Sequence, residues 1–184
     1  AVFEIDRHTL TVESARGGAD PGTVTVDYGT VVEQRVTNSP DAGAQGTRYV
    51  CMGATVVGNA FTQVSPTNVT LTLTNDAVLT WQWRTEYWLA AATRGNGTVT
   101  AASGWHASGA SAVLEAQAGA HWHFVRWEND IDGCGVVGSV MTAPMTRARS
   151  ITAVFEIDRH TLTVESARGG ADPGTVTVDY GTVV

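Results

Sequence analysis

The stretch AVFEIDRHTLTVESARGGADPGTVTVDYGTVV occupies residues 1–32 and recurs, letter for letter, at residues 153–184. The two copies set a repeat of 152 residues. A duplication of this length predicts that the chain is a window, slightly wider than one period, on a linear tandem array. The inside of the stretch decides the fold class. Leu10 and Val12 alternate with threonine, as do Val24 and Val26, and a period of two is the signature of a half-buried strand. Asp20-Pro21-Gly22 lies between these runs and reads as a turn. AVFEID therefore reads as a closing strand, and RHTLTVESARGGADPGTVTVDYGTVV as the opening strands of the next unit.

Working outward, the same alternation continues. Strands are expected over residues 30–37, 48–52, 68–74 and 78–85, and no helical period of useful length interrupts them. Threonine (26 residues) and glycine (20 residues) are abundant, which suits many short strands joined by turns. Hydrophobic residues make up 43% of the chain, enough for a packed core. The net charge is −7 and all 11 cations are arginine. With no basic run, nucleic acid is not an expected partner. The absence of lysine excludes lysine isopeptide cross-links, Schiff-base chemistry and a Walker-type phosphate loop. No stretch has the roughly 18–20 apolar residues of a membrane-spanning helix.

The second half of the period restates the first. Tyr87-Trp88-Leu89 stands where His8-Thr9-Leu10 stood, Gly97-Thr98-Val99-Thr100 echoes Gly22-Thr23-Val24-Thr25, and residues 121–127 take the place of 48–54. Met145-Thr146 matches Leu73-Thr74. The expectation is all-β, with two small homologous β-modules per 152-residue period in a linear array. Residues 1–6 close a preceding module, 7–86 form module A, 87–158 form module B, and 159–184 open the next module A. One exchange of volume supports this pairing. Trp127 of module B aligns with Ala54, and Trp81 of module A aligns with Ala153. A tryptophan lost from one strand and gained on another keeps a core filled.

Module B runs Tyr87-Trp88-Leu89, Gly97-Thr98-Val99-Thr100, Trp122-His123-Phe124-Val125-Arg126-Trp127, Met145-Thr146 and Ile151-Thr152-Ala153-Val154-Phe155. In that order the motifs resemble the divergent internalin-B-type repeat of bacterial surface proteins. Module A follows the pattern less closely, with Cys51 and Ala54 where the family has Phe and Trp. The resemblance implies a β-sandwich-like structural repeat in an extracellular or cell-surface bacterial protein, and it brings no catalytic residues.

Several residues are candidates for chemistry. Cys51 and Cys134 are one pair per period, and in an extracellular chain they suggest a disulfide stapling modules together. Glu128, Asp130 and Asp132, with Gly133 following, space oxygen ligands like the first half of a calcium loop, making Ca²⁺ the one cofactor considered. Ser139 stands where an EF-hand would need its bidentate glutamate, so that form of the loop fails. His121 and His123 share one strand face and read as solvent-exposed. Trp105, in a Ser-Gly context, is the residue expected to be exposed for stacking on carbohydrate. No GxSxG or HExxH motif is present, and no enzyme is expected.

The residues expected to carry function are those of the junction strands: Val2, Phe3, Ile5, Leu10 and Val12 in the first copy, and Val154, Phe155, Ile157, Leu162 and Val164 around the second. The expected role is a structural repeat of an extracellular bacterial fibre, stalk or filament. Its partners are neighbouring repeats head to tail, along one polypeptide or between chains by strand addition. The alternative is an adhesin repeat or spacer that presents a ligand-binding face, carbohydrate among the ligands.

Overall fold

The computed structural model describes residues 1–100, 103–166, 168–170 and 174–183. They form strands, turns and loops, and no helix among them is long and apolar enough to cross a membrane. The chain divides into two compact units, Ala1–Tyr87 and Trp88–Val184.

Unit 1 contains β1 (Arg7–Glu13), β2 (Ala19–Asp20), β3 (Val24–Asp27), β4 (Thr30–Val36), β5 (Asp41–Ala42), β6 (Thr47–Val57), β7 (Thr62–Ser65), β8 (Asn68–Leu73) and the first part of β9 (Ala77–Arg94). One sheet has the order β6-β9-β1-β3, and the other the order β2-β4-β8-β7. The first and last strands, β1 and β9, lie parallel at the centre, with Leu10 opposite Ala77 and Val12 opposite Leu79. Their alternating apolar side chains meet those of the second sheet in one core of Leu10, Val32, Val36, Cys51, Val69, Leu71, Leu73, Leu79 and Trp81. The module is therefore a small β-sandwich.

Unit 2 contains the rest of β9, then β10 (Gly97–Val99), β11 (Gly104–Ala107), β12 (Ser111–Ala118), β13 (Trp122–Asn129), β14 (Gly135–Val137), β15 (Val140–Pro144), β16 (Arg149–Ile157), β17 (Arg159–Thr163) and β18 (Thr175–Asp179). Its sheets repeat those of unit 1. The order β13-β16-β9 with β11 on β9 corresponds to β6-β9-β1-β3, and β10-β12-β15-β14 corresponds to β2-β4-β8-β7. Parallel pairing recurs between β9 and β16, with Leu89 opposite Arg149. A register shift falls between Cys51 and Gly53 in β6 and at the equivalent Phe124 and Arg126 in β13. Shared topology, register and irregularity make the two modules copies of one design. β17 and β18 form a further hairpin in unit 2.

Two expectations need correction. Gly97-Thr98-Val99 does not occupy the place of Gly22-Thr23-Val24. Val99 pairs with Ala116 in β12, as Ala19 pairs with Val36 in β4, so β10 is the counterpart of β2, and β11 is the counterpart of β3. The Gly-Thr-Val-Thr strings are alike because both are generic strand starts. The packing also agrees with the corrected register. A Cβ on Gly97 would lie 2.5 Å from the Phe155 ring, and one on Gly17 would lie 2.8 Å from Trp83. Each module thus seats an aromatic ring of its last strand on a glycine. The strand expected to stop near Thr85 also runs on, since β9 extends without interruption to Arg94.

Candidate functional site: the joint between repeats

The duplicated stretch supplies the same local structure twice. In the first copy the hairpin register runs from Arg7 opposite Asp27 to Leu10 opposite Val24. The second gives Arg159 opposite Asp179 and Leu162 opposite Val176. The threonine hydroxyls of Thr9 and Thr25 are 2.9 Å apart, and those of Thr161 and Thr177 are 3.1 Å apart. Tyr28 N–H donates to the Asp6 carbonyl at 2.7 Å, and Tyr180 N–H to that of Asp158 at 2.8 Å. The local sequence fixes these features wherever it stands.

Burial of key apolar residues differs between the copies, while Val24 and Val176 are half-buried and Tyr28 and Tyr180 exposed in both. Leu10 is 0% exposed, under the core of unit 1, whereas its twin Leu162 is 44% exposed. Phe155 is 3% exposed at the end of β16, whereas its twin Phe3 is 91% exposed. Val154 is buried and Val2 is exposed, as is Ile5, while Ile157 is half-buried. Val12 is half-buried and Val164 exposed. Residues 1–6 form no strand, whereas residues 153–157 lie in one. The opening hairpin is covered in the first copy and the closing strand in the second. Each fully covered Phe or Leu gains about 1.5–3 kcal/mol over its exposed twin.

In unit 2 the closing strand and the hairpin after it meet at Asp158. Its N–H donates to the His121 carbonyl at 2.8 Å, and its own carbonyl accepts from Tyr180. Its carboxylate lies 2.9 Å from His123 Nδ1. The His121 ring stacks on the Tyr180 ring, with centroids 3.5 Å apart and planes 6° from parallel. His160 approaches the same tyrosine edge-on at 5.8 Å. His121 holds a left-handed backbone, φ 65°, where the chain turns into β13. A cleft of about 550 Å³ opens beside this joint, lined by Trp122, His123, Phe155, Glu156, Ile157 and Arg159. His121 and His123 are both exposed, as expected of a solvent face, and each also has a partner at the joint, His121 a ring and His123 a carboxylate.

The other sequence candidates sit elsewhere. Cys51 and Cys134 are free thiols, and the expected disulfide between them is not formed. Cys51 is sealed in the core of unit 1, its thiol donating to the Pro66 carbonyl at 3.1 Å. Burial pushes that thiol's pKa up. A bond from it to a neighbouring repeat would require opening the core. Cys134 packs beside the Arg149 guanidinium at 3.6 Å.

Arginines also engage the oxygens of the Glu128–Asp132 segment. Glu128 Oε1 accepts from Arg94 at 3.0 Å and from Arg126 at 2.6 Å. Asp130 accepts from Arg147 at 2.8 Å and from the Ser150 N–H at 2.9 Å. These bonds hold its carboxyl below the usual aspartate range, Arg147 contributing most. The buried Arg149 donates to the carbonyls of Asp130 and Asp132 at 2.8 and 2.9 Å. Among the described residues no three His, Cys, Asp or Glu side chains converge to hold a metal ion. Arg149 was not singled out by the sequence, because its burial depends on a loop 15–19 residues away. Trp105 lies in strand β11 rather than in a loop. It is half-buried, with its ring edge-on to Trp88 at 5.3 Å.

The joint thus closes a module whose motif residues are spent on its interior. Trp127, Met145, Ile151 and Phe155 are all buried. Residues 87–159 match the divergent InlB B-repeat domain. The resemblance carried by the module B motifs therefore holds for that segment, which ends at the first residue of β17. No curated protein and no solved structure matches the chain. InlB B-repeat domains are typically repeat units of bacterial surface proteins. In the B-repeat segment the Trp127 ring lies 5.4 Å from Phe124, and Phe124 lies 6.0 Å from Phe155. The family's aromatic motif is a core cluster.

Proposed function

We propose that this chain is a structural repeat of an extracellular bacterial fibre, stalk or filament, and that it has no catalytic role and requires no cofactor. Its partners are neighbouring repeats, joined head to tail through the duplicated 32-residue stretch. One observation carries this reading: the complementary burial of the two copies, Phe3 against Phe155 and Leu10 against Leu162. Each copy leaves exposed an apolar residue that the other covers. A tandem array covers both halves in every copy, because each closing strand then has its own module before it and each hairpin its own module after it. Small sandwiches that are marginal alone gain stability in this way from their neighbours.

The surface-repeat character of the B-repeat family supports the location. The use of its motif residues as core supports a scaffold rather than a ligand pocket. Electron microscopy of the native full-length protein tests the reading. Extended fibres or stalks with a regular axial period are expected. Compact, independent particles would overturn it. An adhesin presenting a carbohydrate face would instead show glycan-dependent tryptophan fluorescence, centred on the Trp88–Trp105 pair.

A further inference from the structure

Tyr28 and Tyr180 are the same residue of the repeat in two settings. Tyr180 is stacked on His121 at 3.5 Å. Both rings are exposed, Tyr28 at 56% and Tyr180 at 45%, and both meet the edge of a histidine, His8 at 5.9 Å and His160 at 5.8 Å, so the stack on His121 is what sets Tyr180 apart. Their hairpins have the same register, and their backbone N–H groups make the same bond to the preceding aspartate. The hairpin therefore presents this ring in a fixed position whether or not anything receives it.

The receiving surface is the start of β13, and three features shape it. His121 turns through a left-handed backbone, leaving its carbonyl free to accept from Asp158 and its ring flat against the tyrosine. His123 holds the Asp158 carboxylate. Asp158 stands at the break between β16 and β17, so both contacts act on the residue where the chain changes module.

We propose that the His121 end of each module B is the docking surface for the module A that follows it. The tyrosine corresponding to Tyr28 is the ring that docks there at every period. The occupant is a further copy of module A, because the hairpin already seated on this surface is identical in sequence to residues 7–31, the opening of module A. Tyr28 is in this view a joint residue awaiting the His121 of the period before it. This rests on the tandem reading above and adds to it a defined interface.

Hydrogen–deuterium exchange on the 184-residue protein tests the joint without assuming any fibre. His121→Asn keeps a residue that tolerates the left-handed backbone and removes the stacked ring. It should raise exchange at the Asp158 and Tyr180 amides about two- to tenfold, the scale of one aromatic contact. Tyr180→Leu should do the same, and the double variant should add little to either single one. Tyr28→Leu, the identical substitution in the unreceived copy, should leave exchange at the Tyr28 amide within about twofold of wild type. Unchanged exchange in His121→Asn, or equal effects of Tyr28→Leu and Tyr180→Leu on their own hairpins, would overturn the proposal. Its fate is separable from that of the fibre. Loss of protection without periodic fibres keeps the joint and removes the filament, and periodic fibres with unchanged protection do the reverse.

Discussion

Trp127 stands directly opposite Ala153 across the β13–β16 ladder, and Ala54 stands directly opposite Trp81 across β6–β9. The two modules thus place one indole and one methyl at the same cross-strand pair, with the strands interchanged. Both tryptophans are buried, and each leaves its indole N–H without a partner. The pair is selected for volume, since neither indole makes the hydrogen bond that would fix it to one strand.

A double-mutant cycle in module B follows. Trp127→Ala should cost about 3–5 kcal/mol by leaving a cavity. Ala153→Trp alone should cost about 1–3 kcal/mol by overpacking. The double variant reproduces the module A arrangement and should be more stable than the sum of the two implies, by more than about 1 kcal/mol. Urea unfolding of the four proteins measures it. Simple additivity would show that the two modules do not share one core plan.

The glycines beneath the last-strand aromatics give a second expectation. Gly17 and Gly169 are one residue of the repeat, with positive φ of 59° and 79°. A Cβ on Gly17 would meet Trp83 and Val36 at 2.8 Å, whereas one on Gly169 would meet nothing within 4 Å. Gly169→Ala should therefore cost only the backbone penalty, about 1–2 kcal/mol and confined to its hairpin. Gly17→Ala should cost that plus overpacking, about 1–3 kcal/mol more. Thermal unfolding compares the same substitution in the same sequence, with only the surroundings changed. Equal effects would contradict the covered and uncovered assignment of the two copies.

Much of this was legible in the chain itself. The Thr-Val alternation placed β1, β3, β4, β8 and the start of β9, because a two-residue period reports directly which face is buried. The Trp–Ala exchange was legible because volume must balance. The correspondence of β10 with β2 was not. Gly97-Thr98-Val99 matches the wrong string better than the right one, and the decisive feature is the aromatic ring seated on Gly17 or Gly97, a contact some 58–66 residues away in sequence.

At the joint, the apolar residues Phe155 and Leu162 could be read from their pattern. The stacking of His121 on Tyr180 could not, because a histidine beside a core strand looks the same whether solvent or a ring faces it. Arg149 stayed hidden for a similar reason, since its partners are backbone carbonyls, which have no signature in sequence.

Gln34 offers a third test. It is fully buried in β4, its Nε2 donating to the Gly22 carbonyl at 3.3 Å and its Oε1 without a partner. Its counterpart in β12 is Leu114, also fully buried, since Val69 opposite Gln34 corresponds to Met141 opposite Leu114. An unpaired buried oxygen costs about 1–3 kcal/mol, more than one weak hydrogen bond returns. Gln34→Leu should therefore raise stability, by about 1 kcal/mol. A urea midpoint lower than wild type would show that the Gly22 contact outweighs the buried oxygen.

Glu86 is expected to contribute to the acid dependence of unit 1. It is buried at the end of the β6–β9 pairing, its carboxylate held by Arg48 at 2.7 Å and by Arg84. Burial works to raise its pKa, but the two arginine hydrogen bonds outweigh it, and the net shift is downward from the ordinary 4.5. A folded-state value below the unfolded one means that the stabilisation is fully present above about pH 4.5 and is lost as the pH falls through the lowered value. Glu86→Gln removes the titrating group. At pH 7 it should cost about 1–3 kcal/mol, because Arg48 and Arg84 lose their charged acceptor. Below pH 4.5 the variant and wild-type curves should converge, since protonation strips the wild type of the same charge. Urea midpoints between pH 7 and pH 3 check this. A gap that stays constant across that range would place the acid sensitivity on another group.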